Sequence, residues 1–133
     1  MYITRKTDYA VRCILFLSKE VNRTVSAAEI SKAMLIPKDF LAKILQRLSR
    51  KGIVKSTKGA AGGFRLAREP GRINLLEVIE AIQGPTAANA CAVDENVCSL
   101  SKTCAVHPIW VEVRKMIEER LKDETFAKLI SRC

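Results

Sequence analysis

Apolar residues along the chain fall in runs whose spacing passes from helical to extended and back. The first run, AVRCILFL, predicts a helix from about Asp8 to Val21, with Thr7 placed to cap it. Its polar stripe is narrow, Asp8, Arg12 and Lys19, so the helix is expected to be covered on more than one side, in part by a second subunit. The turn VNRT ends it. Ser26 with Glu29 three residues on reads as a capping box for a short second helix ending near Met34. Pro37 suits the first turn of a third helix, in which Leu41, Ile44, Leu45 and Leu48 recur at i, i+3, i+4 and i+7. Gly52 stands where a helix-ending glycine belongs.

The period then shortens to two. IVKST and GFRLA read as strands around the glycine-rich KGAAGG, with Phe64 and Leu66 on a packed face and Arg65 on a wet one. Asn74 and Glu77 repeat the capping pattern before LLEVIEAIQ, and Gly84-Pro85 breaks that helix. From Pro108 a long helix carries Ile109, Val113, Met116, Ile117 and Leu121 in one stripe, part of which is expected to pack against a partner helix. Thr125 is placed to cap a last short helix, FAKLIS. The order predicts a mainly α fold with a small β-hairpin wing. A winged helix-turn-helix would occupy residues 1–83, a cysteine-rich loop 84–107, and a dimerisation helix with a C-terminal short helix 108–133.

Charge sharpens this picture once the chain is divided. Residues 1–72 hold 16 Lys/Arg and 5 Asp/Glu, 16 − 5 = +11, whereas residues 73–133 hold 7 and 9, 7 − 9 = −2. A cationic half on an otherwise near-neutral chain implies a polyanionic partner, with double-stranded DNA leading. On the third helix, Lys43, Arg47 and Arg50 offer donors to phosphate, Gln46 suits an adenine edge, and Lys38 extends the same face. Lys58 at the wing tip is placed for the minor groove, and Gly59, Gly62 and Gly63 would let backbone approach closely. No apolar run approaches a membrane span or a signal-peptide core, which predicts a cytoplasmic protein with reduced thiols. With one histidine and no nucleophile elbow, no enzyme is expected.

The segment CAVDENVCSLSKTCAVHPIW holds Cys91, Cys98 and Cys104, separated by six and five residues, with His107 three beyond the last. Three soft thiolates and an imidazole suit an iron–sulfur cluster or zinc. Zinc knuckles usually have tighter spacing, and an odd cysteine would remain if two paired. A protonated imidazole cannot ligate, so a site using His107 would be acid-sensitive. Cys13, in an apolar helix, is expected in the core, and Cys133 is expected to be exposed.

The whole chain resembles the small winged-helix regulators that include the iron–sulfur regulator IscR, the nitric-oxide sensor NsrR and the cysteine-metabolism regulator CymR. The likeness rests on TDYAVR, ISKAMLIPKDFLAKILQRLSRKGIV, KGAAGGFRLA, INLLEVIEAI and TFAKLI. It implies a homodimer held by the long helix and a palindromic operator. It also implies a cluster, [2Fe–2S] or alternatively [4Fe–4S], held by Cys91, Cys98, Cys104 and a fourth ligand; oxygen would readily strip it, leaving an apo form. His107 matches one type of fourth ligand, and Asp8, reaching from the partner subunit, matches the other. Three departures stand out: Lys58 for a common arginine, Phe64 for a common tyrosine, and a Pro37-Lys38-Asp39 opening where IscR is serine-rich. The expected function is a homodimeric, DNA-binding repressor-type regulator that senses cluster status, redox state or nitric oxide. The alternatives are a cluster-free thiol-redox regulator and a zinc-stabilised one.

Overall fold

The computed structural model describes residues 1–133 and consists of six α-helices and one antiparallel hairpin. Helix α1 spans Arg5–Lys19, longer at its start and shorter at its end than the apolar run suggests. Its cap is Thr4, whose hydroxyl accepts from the Thr7 N–H at 3.2 Å, and not Thr7. Thr7 is fully buried, its hydroxyl 2.9 Å from that of Thr4, so the second threonine is spent inside the first turn.

Helix α2 (Ala27–Met34) starts at Ser26, which accepts from the Glu29 N–H; this is one half of the expected capping box, the Glu29 carboxylate being held by Arg23. Arg23 reaches across to pair with Glu29 and Glu20, and its hydrogen bond holds the Glu29 carboxyl below the usual carboxylate range. Helix α3 (Lys38–Arg50) follows after a three-residue turn. Ser31 fixes that turn: its carbonyl accepts from Ile36 N–H at 3.0 Å and its hydroxyl donates to the Ile36 carbonyl at 2.6 Å. Ile36 is thereby buried, while Leu35 takes the left-handed conformation (φ 55°) and stays exposed.

Strands β1 (Val54–Thr57) and β2 (Gly63–Leu66) pair in the register Val54↔Leu66 to Thr57↔Gly63. A third segment joins them, because Val25 and Phe64 exchange backbone hydrogen bonds of 2.9 and 2.7 Å. That bridge explains Gly63: a Cβ there would lie 2.4 Å from the Val25 carbonyl oxygen. At Gly62 a Cβ would lie 2.2 Å from the Thr57 carbonyl oxygen. These two wing glycines therefore answer to contacts inside the protein. Gly63→Ala should cost about 2 kcal/mol or more, measured by urea unfolding, through loss of the bridge and added backbone strain.

Helix α4 (Leu75–Gln83) is capped by Asn74, which accepts from the Glu77 N–H at 2.9 Å, and it ends at Gly84. Two 3₁₀ turns, Ala90–Ala92 and Glu95–Val97, carry the chain to α5 (His107–Lys122), which starts one residue before Pro108. The last helix, α6 (Phe126–Ile130), is capped by Thr125, which accepts from Lys128 N–H. It returns to the front half of the chain. The Phe126 N–H donates to Ile73 at 2.9 Å and the Leu75 N–H to Glu124 at 2.8 Å, so Asn74 and Thr125 face each other in a short bridge. The core is one cluster formed by Ile14 and Leu17 of α1, Ile30 of α2, the four apolar residues of α3, Ile53, Ile73, Val78 and Phe126.

Candidate nucleic-acid interface and cysteine-lined cavity

The apolar stripe of α3 is fully committed to the core, since Leu41, Ile44, Leu45 and Leu48 are all buried. Helical geometry then leaves the other side of α3 to solvent. Lys43, Gln46, Arg47 and Arg50 are exposed there, as are Lys58 and Gly59 at the wing tip, while Gly62 and Gly63 are half-buried; Lys38 is exposed at the start of the helix but lies on the Leu45 side, off that face. None of these lysines, nor Arg50, enters an intramolecular ion pair, so their charge is available to an external anion. Arg47 differs: its Nε donates to the Ala81 carbonyl of α4 at 3.0 Å. That bond ties α3 to α4 and leaves the N–H groups of both Nη atoms for other partners.

The cysteine segment folds over the start of α5. Cys91, Cys98, Cys104 and His107 line a single cavity of about 280 Å³, with Ser101 and Trp110 also in its wall. All five cysteines are free. Cys98 and Cys104 are exposed and Cys91 is half-buried. The Nδ1 of His107 and the hydroxyl of Ser101 are buried with no hydrogen-bond partner in the protein. An orphaned imidazole nitrogen beside three thiols is a donor set without an internal acceptor, and it fits a thiophilic guest. No three of the His, Cys, Asp and Glu groups stand close enough together to hold one metal ion.

Sequence reasoning missed how the loop is fastened. Arg114 Nη1 donates to the Ala92 carbonyl at 2.8 Å, pinning the first 3₁₀ turn onto α5. Trp110 and Arg114 follow His107 at i+3 and i+7, so their shared face was legible in the spacing, whereas the segment laid on it was not.

The other residues that the sequence singles out lie elsewhere. Asp8 sits in α1, outside the cavity wall, and pairs with Arg12 at 2.9 Å. Arg12 also stacks 5.3 Å above the Tyr9 ring. Cys13 is fully buried, and burial pushes its thiol up to about 12, so it stays protonated at neutral pH. Cys133 is exposed.

Helix α5 has no buried residue along its 16 positions. Ile109 is 51% and Met116 61% exposed, while Val113, Ile117 and Leu121 are half-buried. No helix is long and apolar enough to cross a membrane.

Comparison with known proteins bears on both regions. The Rrf2 family model, described as an iron-dependent transcriptional regulator, matches residues 3–132. The HTH-type transcriptional regulator IscR of Xenorhabdus nematophila is 30% identical over 131 residues, covering 98% of this chain and 79% of that protein. Among solved structures, T. potens IscR is similar with a TM-score of 0.78 at 27% identity, over 99% of this chain and 88% of its own. CymR, the global cysteine regulator of B. subtilis, is similar with a TM-score of 0.82 at 25% identity, over 100% and 98%.

Proposed function

We propose that this chain, which belongs to the Rrf2 family of transcriptional regulators, is a homodimer whose cysteine-lined cavity holds an iron–sulfur cluster and couples its state to DNA binding. The protein is a winged-helix regulator and not an enzyme. The observation that carries the finer reading is that Cys91, Cys98, Cys104 and the unpartnered His107 all line one cavity at the start of α5. Those four residues would hold the cluster, [2Fe–2S] by preference, which supplies a bond to the protein that oxidants or nitric oxide can break. His107 is favoured over Asp8 as the fourth ligand because its nitrogen lacks a partner, whereas Asp8 is engaged by Arg12.

The chain's own residues then offer a route to the DNA face. His107 opens α5, α5 packs on α4, and Arg47 links α4 to α3. Drawing the loop closed around its guest would bias the tilt of α4 against α5, and through Arg47 the set of α3. The partly exposed stripe of α5 is the surface we assign to the partner subunit, placing two copies of α3 about one turn of DNA apart on a palindromic operator.

The test is anaerobic purification with a visible spectrum, iron and sulfide analysis, and operator binding measured before and after cluster removal. The expected result is a coloured dimer whose operator affinity changes at least about fivefold on removal. Equal affinity in both states would defeat the switch, and a colourless protein that cannot be reconstituted would defeat the cluster.

A second reading rests on the exposure of Cys98 and Cys104 as free thiols: a cluster-free regulator in which they respond to oxidants directly. It would purify colourless and change DNA affinity with peroxide. A zinc-stabilised regulator would also purify colourless but would hold a stoichiometric metal.

A further inference from the structure

The DNA-facing row of α3 contains one residue of the wrong sign for phosphate. Asp39, Lys43, Gln46 and Arg50 follow one another at i, i+4, i+7 and i+11, diametrically opposite the buried Leu41, Ile44, Leu45 and Leu48. Of the five carboxylates in residues 1–72, Asp8, Glu20 and Glu29 are held by arginines. Glu69 lies beside the 3₁₀ turn Pro70–Arg72, in a groove away from this face. Asp39 alone stands on α3, exposed and without an ion pair, although Lys43 is one turn away on the same row.

We infer that Asp39 is a specificity-determining residue that reads the exocyclic amino group of a cytosine in each operator half-site. This rests on the reading of α3 as the recognition helix. The N-terminal residues of such a helix are the ones that reach base edges, and Asp39 lies in the first turn of α3. An ionised carboxylate only accepts hydrogen bonds, so against DNA it is repelled by phosphate and needs a donor. The major groove offers two, the amino groups of cytosine and adenine. Adenine presents a donor beside an acceptor and is matched by an amide, whereas cytosine's N4 is matched by a carboxylate. A first-turn carboxylate also favours the helix dipole, but that role does not require the position in line with Lys43, Gln46 and Arg50.

The experiment is selection of duplexes from a random library by the full chain, in wild-type form and as Asp39→Ala and Asp39→Asn. Each is followed by affinity measurements on single-base-pair variants of the enriched sequence. The wild type should enrich a C·G pair at one fixed position per half-site, and replacing that pair should weaken binding about tenfold. Asp39→Ala should reduce that discrimination to below about twofold at this position only, while raising affinity for non-cognate duplex through loss of repulsion. Asp39→Asn should move the preference at the same position toward A·T. Unchanged discrimination in Asp39→Ala would overturn the assignment. A uniform loss on all duplexes with a lowered melting temperature would overturn it too, assigning Asp39 to the helix end. A wild type that enriches no motif would overturn the operator reading along with it.

Discussion

Truncating Phe126 to alanine should destabilise the whole protein by about 3–5 kcal/mol, a large share of the roughly 5–15 kcal/mol that holds a domain together. Phe126 is the largest fully buried side chain, and it lies in a five-residue helix near the end of the chain. It is packed in the same core as Ile14, Leu17 and Ile73, and its N–H is bonded to Ile73. Removing the ring leaves a cavity in the core beside the Asn74–Thr125 bridge. Phe126→Leu, which keeps most of the volume, should cost under about 1.5 kcal/mol. Urea unfolding at one fixed protein concentration separates the two, since dimer formation would make the midpoint concentration-dependent. A loss below about 1 kcal/mol in the alanine variant would show that α6 is only loosely attached.

The second large effect is expected at Cys98. It is exposed, so Cys98→Ala should leave the stability of the apo chain within about 0.5 kcal/mol. The same variant should lose essentially all iron, sulfide and visible absorption after anaerobic reconstitution, because a missing thiolate leaves an iron under-coordinated. Cys133→Ala and Asp8→Ala should retain the chromophore, and His107→Ala should lose or weaken it. Cys13→Ala belongs with the controls: its thiol is buried and kept protonated, so it cannot serve as a thiolate ligand. Full iron retention in Cys98→Ala would remove the cavity from the cluster reading, and loss in Asp8→Ala with retention in His107→Ala would exchange the fourth ligand.

Most of the local structure was legible because it depends on near neighbours. Ser26, Asn74 and Thr125 cap the helices their sequences announce, each accepting the N–H three residues on. The α3 stripe is buried as its period requires. The start of α1 was misplaced because TRKT offers two threonines with similar local credentials. Only the packing of Thr7 against the core selected Thr4 as the cap. The wing glycines were legible as glycines but not for their reason. Gly63 sits where Val25, 38 positions earlier, needs its carbonyl to reach Phe64.

The cysteine segment was recognisable as a chemical set from residue type alone, three thiols and an imidazole that suit a cluster or zinc. That its four donors line one cavity, with the His107 nitrogen left unpartnered, depended on where the loop came to rest. By itself the sequence determined the helical and extended periods, the caps of α2, α4 and α6, the basic front half and the gathering of three cysteines and the histidine in one segment. These are properties of residues within a few positions of one another, or of simple sums along the chain. Tertiary structure decided the return of Phe126 to the first core, the tie from Arg47 to Ala81 and the Arg114 clasp on the loop. Each joins segments distant in the chain, and such contacts are chosen by the packing of the whole core and not by any local preference.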